Sequence, residues 1–187
     1  LVRQILTFSR RGDIELQPLN ISLVIREALK LLRSTLPTTI SLTTKISHNL
    51  SPILADPTHI HQVIMNLCTN AYHAMRDSGG KLKVELIDVE ITETHPVISN
   101  QKPGRYIKLE VEDTGHGIDS ETLKRVFDPY FTTKHQSKGT GLGLSMADKI
   151  IRERHQQYIE AYNDTIEYKG TTYKGACFMI TFKNIFI

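Results

Sequence analysis

Asn66 and Asn70 stand four residues apart in a stretch that opens with Asp56-Pro57 and reaches Ser78-Gly79-Gly80. An Asp followed by Pro is a strong helix start, and the Gly pair is a stop. On that helix His59, Gln62, Asn66, Asn70, His73 and Asp77 recur at offsets of three and four and stack on one face. Asn is a below-average helix former, so two of them in mid-helix ask for a reason. Their amide oxygens can converge on one point, and an uncharged oxygen pair suits a hard cation that already carries phosphate charge, as Mg²⁺ does. The same pattern also describes a helix face that is simply wet.

Three further segments carry potential chemistry. Asp113-Thr114-Gly115-His116-Gly117-Ile118 follows the apolar run Tyr106–Val111. An Asp at a strand end can accept from an exocyclic amine such as that of adenine. The glycines would permit a close backbone approach, although an Asx-type turn uses the same residues. Gly139-Thr140-Gly141-Leu142-Gly143-Leu144-Ser145 opens a helical pattern, so its backbone N–H groups could face an anion. It is neither a Walker loop nor a dinucleotide fingerprint. Between them, Phe127-Asp128-Pro129-Tyr130-Phe131-Thr132-Thr133-Lys134 reads as a flap. Phe127 and Phe131 would anchor it, and Lys134 would reach phosphate or stand solvated.

The elements that must position these residues follow from periodicity. A short extended piece, Ile14 to Pro18, leads to a helix capped by Asn20 or Ser22 and carrying Leu23, Val24, Ala28, Leu31 and Leu32, which Pro37 ends. Thr39–Ile46 alternates as a half-buried strand. The asparagine helix comes next, with Ile60, Val63, Ile64, Leu67, Ala71, Ala74 and Met75 as its apolar stripe and an expected end near Asp77. Lys81–Thr92 and Arg105–Glu112 read as strands, Asp119 starts a short helix, and Leu142–Arg154 reads as one helix. Gln157–Phe182 reads as strands with a hairpin near Tyr168–Thr172. This is a mixed sheet with helices, most simply in two layers.

Composition fits one globular domain. The chain has 187 residues, 40% hydrophobic and 23% charged, with a net charge of +3. That excess is too small and scattered to argue for nucleic acid. The two cysteines, Cys68 and Cys177, sit in apolar runs, which argues against a disulfide scaffold and fits a reducing, cytoplasmic setting. No apolar run approaches the length of a membrane span. The opening residues, Leu1 to Arg11, have helical apolar spacing and no initiator Met, so the chain reads as a piece of something longer.

Each segment is weak alone, but their order is not. Together they resemble the ATP-binding catalytic domain of sensor histidine kinases, within the GHKL ATPase superfamily. His61–Ala71 resembles its N box, Asp113–Ile118 its first glycine box, Phe127–Lys134 its F box and Gly139–Leu144 its second glycine box. The likeness spans about residues 13–183, and Leu1–Gly12 resembles the end of the preceding dimerisation-domain helix. It implies an α/β two-layer sandwich, about five mixed strands on three helices, with ATP between the N box and the flap. By motif position, Asp113 would meet the adenine amine, beside Gly115, Gly117 and Ile118. Asn66 and Asn70 would hold Mg²⁺ and phosphate oxygens, with His73 nearby, where relatives often carry Lys. Gly139, Thr140, Gly141, Leu142, Gly143 and Leu144 would cradle phosphates. Phe131, Thr132 and Lys134 would belong to the flap, the ATP lid running from about Asp128 to Lys138. Asn66 and Lys134 would be the catalytic pair. In the superfamily's hydrolases a Glu stands where Asn66 stands and activates water, which an amide cannot do. The resemblance thus implies a kinase that keeps the γ-phosphoryl for a histidine on the dimerisation domain of a homodimeric parent, membrane-anchored or not, and then for a response regulator receiver domain.

Several positions depart from the pattern. No acceptor histidine is recognisable: His48, in His48-Asn49-Leu50-Ser51-Pro52, has its Pro at the wrong spacing and follows a strand. Arg154-His155-Gln156-Gln157 replaces the usual Gly pair, and Gly175-Ala176-Cys177-Phe178 stands where Gly-Thr is common. The competing readings are a nucleotide-responsive binding module without kinase activity, and an autonomous ATPase or serine kinase of the same superfamily.

Overall fold

The computed structural model describes residues 16–92, 101–133 and 140–185. The expectations for the opening helix, Lys134 and Gly139 fall outside those residues. In chain order the elements are β1 (Gln17–Leu19), α1 (Ile21–Thr35), β2 (Ile40–Ile46), β3 (Ile53–Ala55), α2 (Pro57–Ala74), β4 (Gly80–Ile91), β5 (Gly104–Asp113), α3 (Ser120–Arg125), α4 (Gly143–Lys149), a π-helical turn (Ile150–Arg154), β6 (Tyr158–Tyr168) and β7 (Thr171–Lys183). Five strands form one mixed sheet in the order β2-β4-β5-β7-β6; β2 runs parallel to β4 and the other neighbours are antiparallel. β1 and β3 pair separately, a strand pair too short for periodicity to reveal.

Caps and stripes explain the helix layer. Asn20 caps α1 by accepting from Ser22 N–H, and the face carrying Val24, Ile25, Ala28, Leu29 and Leu32 is buried. Asp56 caps α2 by accepting from the N–H groups of Thr58 and His59, with Pro57 at the first helical position. The expected stripe of α2 is buried through Ile60, Val63, Ile64, Leu67 and Ala71, and Cys68 joins it. Each large side chain on it contributes roughly 1.5–3 kcal/mol. α2 stops at Ala74, earlier than Asp77, because Met75 turns into the core and its N–H bonds back to Ala71 and Tyr72.

Leu82, Val84 and Leu86 of β4, Ile107, Leu109 and Val111 of β5, and Phe178, Ile180 and Phe182 of β7 share a single core with α1, α2 and α4. Period-two alternation sends their neighbours to the other sheet face. There Lys83 pairs with Glu112, and Lys108 with Glu110. The two-layer sandwich is therefore as expected, with α3 as a fourth, minor helix. The expected single helix over Leu142–Arg154 is instead a short α4 followed by the π turn.

Candidate functional site

α2, α3 and α4 open onto a cleft of about 490 Å³. Its lining includes Asn66, Asn70 and His73 from α2, Phe131 and Thr132 after α3, and Thr140, Gly141, Gly143 and Leu144 at the start of α4. The cleft thus gathers parts of three expected motifs. Met65 and Thr69 of α2, Thr122 and Val126, and Thr133 line it too. Thr69 could have been found by helical offset from Asn66. Thr122 and Val126 belong to a helical segment too short to show a period.

Asn66 and Asn70 line the same cleft, but their amide oxygens are not brought to one point. Asn66 Nδ2 donates to Gly143 O at 3.0 Å, which fixes the amide and turns Oδ1 the other way. A Cβ built on Gly143 would sit 3.9 Å from both Asn66 Oδ1 and Asn70 Nδ2, so α4 meets α2 at this pair of amides. Asn70 presents its Nδ2 to this point, so a hard divalent cation carrying phosphate oxygens would be held here once that amide turned to offer its oxygen. The rest of the polar stripe does other work: Gln62 Nε2 donates to Met146 Sδ at 2.6 Å, and His59 packs edge-on against His155.

The flap segment divides as well. Phe127 packs edge-to-face on Phe178 with ring centroids 6.4 Å apart, and so anchors the segment to the sheet. Phe131, expected to be a second anchor, lines the cleft instead and carries the Arg125 guanidinium 4.5 Å above its ring. Tyr130 N–H donates to Gly141 O at 3.0 Å, tying this segment to the second glycine stretch. Gly141 has φ +65°, and any Cβ there would strike the Tyr130 backbone. Leu142 is the N-cap of α4 and offers its first turn no side-chain bond.

Asp113, Gly115, Gly117 and Ile118 are not among the lining of this cleft; they form the turn that leaves β5 beside the end of α2. Asp113 is 2% exposed, and its Oδ1 accepts from Gly115 N–H at 2.8 Å. Burial pushes its carboxyl up to about 6, against the opposing pull of the Gly115 and Ala176 N–H groups. The glycines of this turn answer to protein, not only to a ligand. A Cβ on Gly115 would lie 2.7 Å from the Ala74 Cβ, and one on Gly117 would lie 2.7 Å from Lys174 O.

Comparison with known proteins bears on the family and the fold. The family described as "Histidine kinase-, DNA gyrase B-, and HSP90-like ATPase" matches residues 55–184. The sensor kinase CckA of Brucella abortus (strain 2308) is 37% identical over 175 residues, covering 93% of this chain and 18% of that protein. The sensor histidine kinase ZraS of Klebsiella oxytoca is 32% identical over 179 residues, covering 95% of this chain and 34% of that protein. The chain thus spans about a fifth and about a third of these two relatives. Among solved structures, a nucleotide-free catalytic domain of the histidine kinase ThkA superposes with TM-score 0.68 at 27% identity, over 91% of this chain and 97% of that one. ThkA in complex with the response regulator protein TrrA gives 0.66 at 25% identity, over 98% of this chain and 46% of that one. The chain belongs to the histidine kinase-, DNA gyrase B- and HSP90-like ATPase family, as an ATP-binding domain of the sensor histidine kinase type.

Proposed function

We propose that this domain, over residues 13–187, binds Mg-ATP and transfers the γ-phosphoryl group to a histidine on a dimerisation domain, to whose end residues 1–12 are assigned by resemblance. The observation that carries the reading is the make-up of the cleft. Asn66 and Asn70 meet at Gly143, and the described lining contains no carboxylate.

In this reading Asn66 and Asn70 hold Mg²⁺, which neutralises phosphate charge when bound. His73, Thr132, Thr140, Gly141, Leu142, Gly143 and Leu144 surround the phosphates. Phe131 closes the side of the cleft, and Gly139 and Lys134, outside the described residues, are assigned to the phosphates by motif position alone. Asp113 accepts from the adenine amine, with Gly115, Gly117 and Ile118 shaping the turn around the base. Phosphoryl transfer asks a protein for position and charge stabilisation more than for covalent chemistry. The bond from the γ-phosphorus to the bridging oxygen breaks, a bond to the incoming imidazole nitrogen forms, ADP leaves, and the imidazole gives up its proton. With no carboxylate in the described lining to act as a base, water is a poor competitor.

The partners follow from the same reading: a phosphoacceptor domain of the same homodimeric kinase, and a response regulator receiver downstream. ThkA has been captured with its response regulator protein, which supports the second. Among the described residues no helix is long and apolar enough to cross a membrane.

The test is reconstitution in trans. Mixed with Mg-ATP alone, the chain should form no phosphohistidine; with a separately produced dimerisation domain it should transfer label to that domain's histidine. Phosphate release or phosphoserine in place of phosphohistidine would refute the reading.

A further inference from the structure

Asn163 lies on β6, outside every segment that pointed to the nucleotide, yet it grips the first glycine turn. Its Oδ1 accepts from Ile118 N–H at 2.8 Å, and its Nδ2 donates to Ile118 O at 2.6 Å. One side-chain amide therefore satisfies both backbone groups of one residue, and only this orientation of its oxygen and nitrogen allows it. Asn is depleted in strands, so its place here asks for such a use. Across the β6–β7 ladder Asn163 faces Ala176, whose N–H donates to the Asp113 carboxyl. The turn is thus fastened at its start by Gly115 and Ala176 and at its end by Asn163. Between them, Gly117 has φ +68°, and a Cβ there would sit 2.9 Å from Asn163 Oδ1. The turn is built directly against this amide.

We infer that Asn163 is a positioning residue for base recognition: by holding Ile118 it fixes the turn that aims Asp113, without touching the nucleotide itself. This deepens the proposed function and rests on the placement of adenine at Asp113. Freed from Asn163, the end of the turn gains conformational freedom that binding must then remove. The loss falls on recognition of the base, because the phosphate groups are held elsewhere, by α2 and the start of α4.

The experiment compares Mg-ATP with Mg-inosine triphosphate, in which a carbonyl oxygen replaces the exocyclic amine, by calorimetry on the whole chain. Wild type should favour ATP on the order of tenfold or more, the value of one hydrogen bond to a charged group. Asn163→Ala should weaken ATP on the order of tenfold while barely moving inosine triphosphate, so the preference collapses. Should Asn163→Ala fail to fold, Asn163→Asp makes the same comparison. It keeps the acceptor for Ile118 N–H and sets an oxygen against Ile118 O. If the variant weakens both nucleotides equally, or neither, Asn163 has only a general structural role and the inference is wrong. A wild type indifferent to the amine would instead sink the adenine assignment at Asp113, and this inference with it.

Discussion

Asp113 is costly to keep where it is. Burial raises its pKa from an ordinary 3.8 to about 6, so ionising it in the folded protein is harder than in the unfolded chain. The stabilising side of that shift is full below about 4 and is lost as pH rises through about 6, at up to roughly 1.4 kcal/mol per pH unit. Asn removes the charge, so Asp113→Asn should leave the free protein as stable or more stable at pH 7 in a thermal melt. The same variant should lose ATP affinity on the order of a hundredfold by calorimetry, since a carboxylate acceptor is gone. Wild-type affinity should rise with pH through about 6, and the variant's should be flat. Unchanged affinity in Asp113→Asn would remove the residue from the site. Asn70 is the parallel case for the metal. Asn70→Ala should abolish the gain in ATP affinity that Mg²⁺ gives, and an unaltered Mg²⁺ response would exclude it as a ligand. These residues were legible because their types are unusual for their places: amides in mid-helix, an acid at the end of an apolar strand. Asn163 was equally odd in its strand. Its use was invisible because its partner, Ile118, lies 45 residues away.

At the scale of elements, the helix after the second glycine stretch differs most from its reading in sequence. Residues from Leu142 to Arg154 have helical spacing, but His155 captures the end of the run. His155 N–H donates to Ile150 O at 3.1 Å, five residues back, which is the π pattern. The ring then bridges two elements: Nε2 accepts from Asp56 N–H at 3.1 Å, so Nδ1 carries the proton and donates to Ile150 O at 2.9 Å. His155 thus joins the start of α2 to the end of the α4 run, the two helices whose other ends meet in the cleft. Gln156 follows at φ +53°, taking the left-handed turn that a glycine would take more easily. Burial lowers the His155 pKa, helped by neighbouring His59 and opposed by the Ile150 carbonyl and Asp56. Its contribution to stability is therefore present above about 6.5 and lost as pH falls below that value. His155→Leu should cost roughly 1–3 kcal/mol at pH 7, because Asp56 N–H and Ile150 O lose their partner. The loss relative to wild type should shrink in melts at pH 5. A cost independent of pH would mean that packing, not the neutral ring, does the holding. Caps, by contrast, were readable: Asp56-Pro57 and Asp119 start their helices where local chemistry puts them.

For the whole molecule, the sequence order of elements was recoverable but their spatial order was not. The strand order β2-β4-β5-β7-β6 depends on pairings between distant segments, such as β5 with β7, that no local pattern announces. The packing also puts demands on glycines that look free in sequence. Gly175 lies so close to the Asp113 carbonyl that any Cβ would collide with it. On the proposed function the nucleotide site would have two halves with different supports. Sheet strands β5, β6 and β7 hold the Asp113 turn, while α2 and α4 hold the paired amides. A ligand that bridges the halves ties the helix layer to the sheet, and one that reaches a single half does not. Saturating Mg-ATP, at about a hundred times its dissociation constant, should stabilise the folded chain by roughly 2.7 kcal/mol. For a domain of this size that is a rise of about 5–10 °C in Tm. Adenosine or Mg-tripolyphosphate, each confined to one half, should give much smaller shifts at equal concentration. On the proposed function the ATP shift should also persist through hours of incubation, because the described lining offers no carboxylate to activate water. A shift that decays as ADP accumulates would show that water is being activated after all.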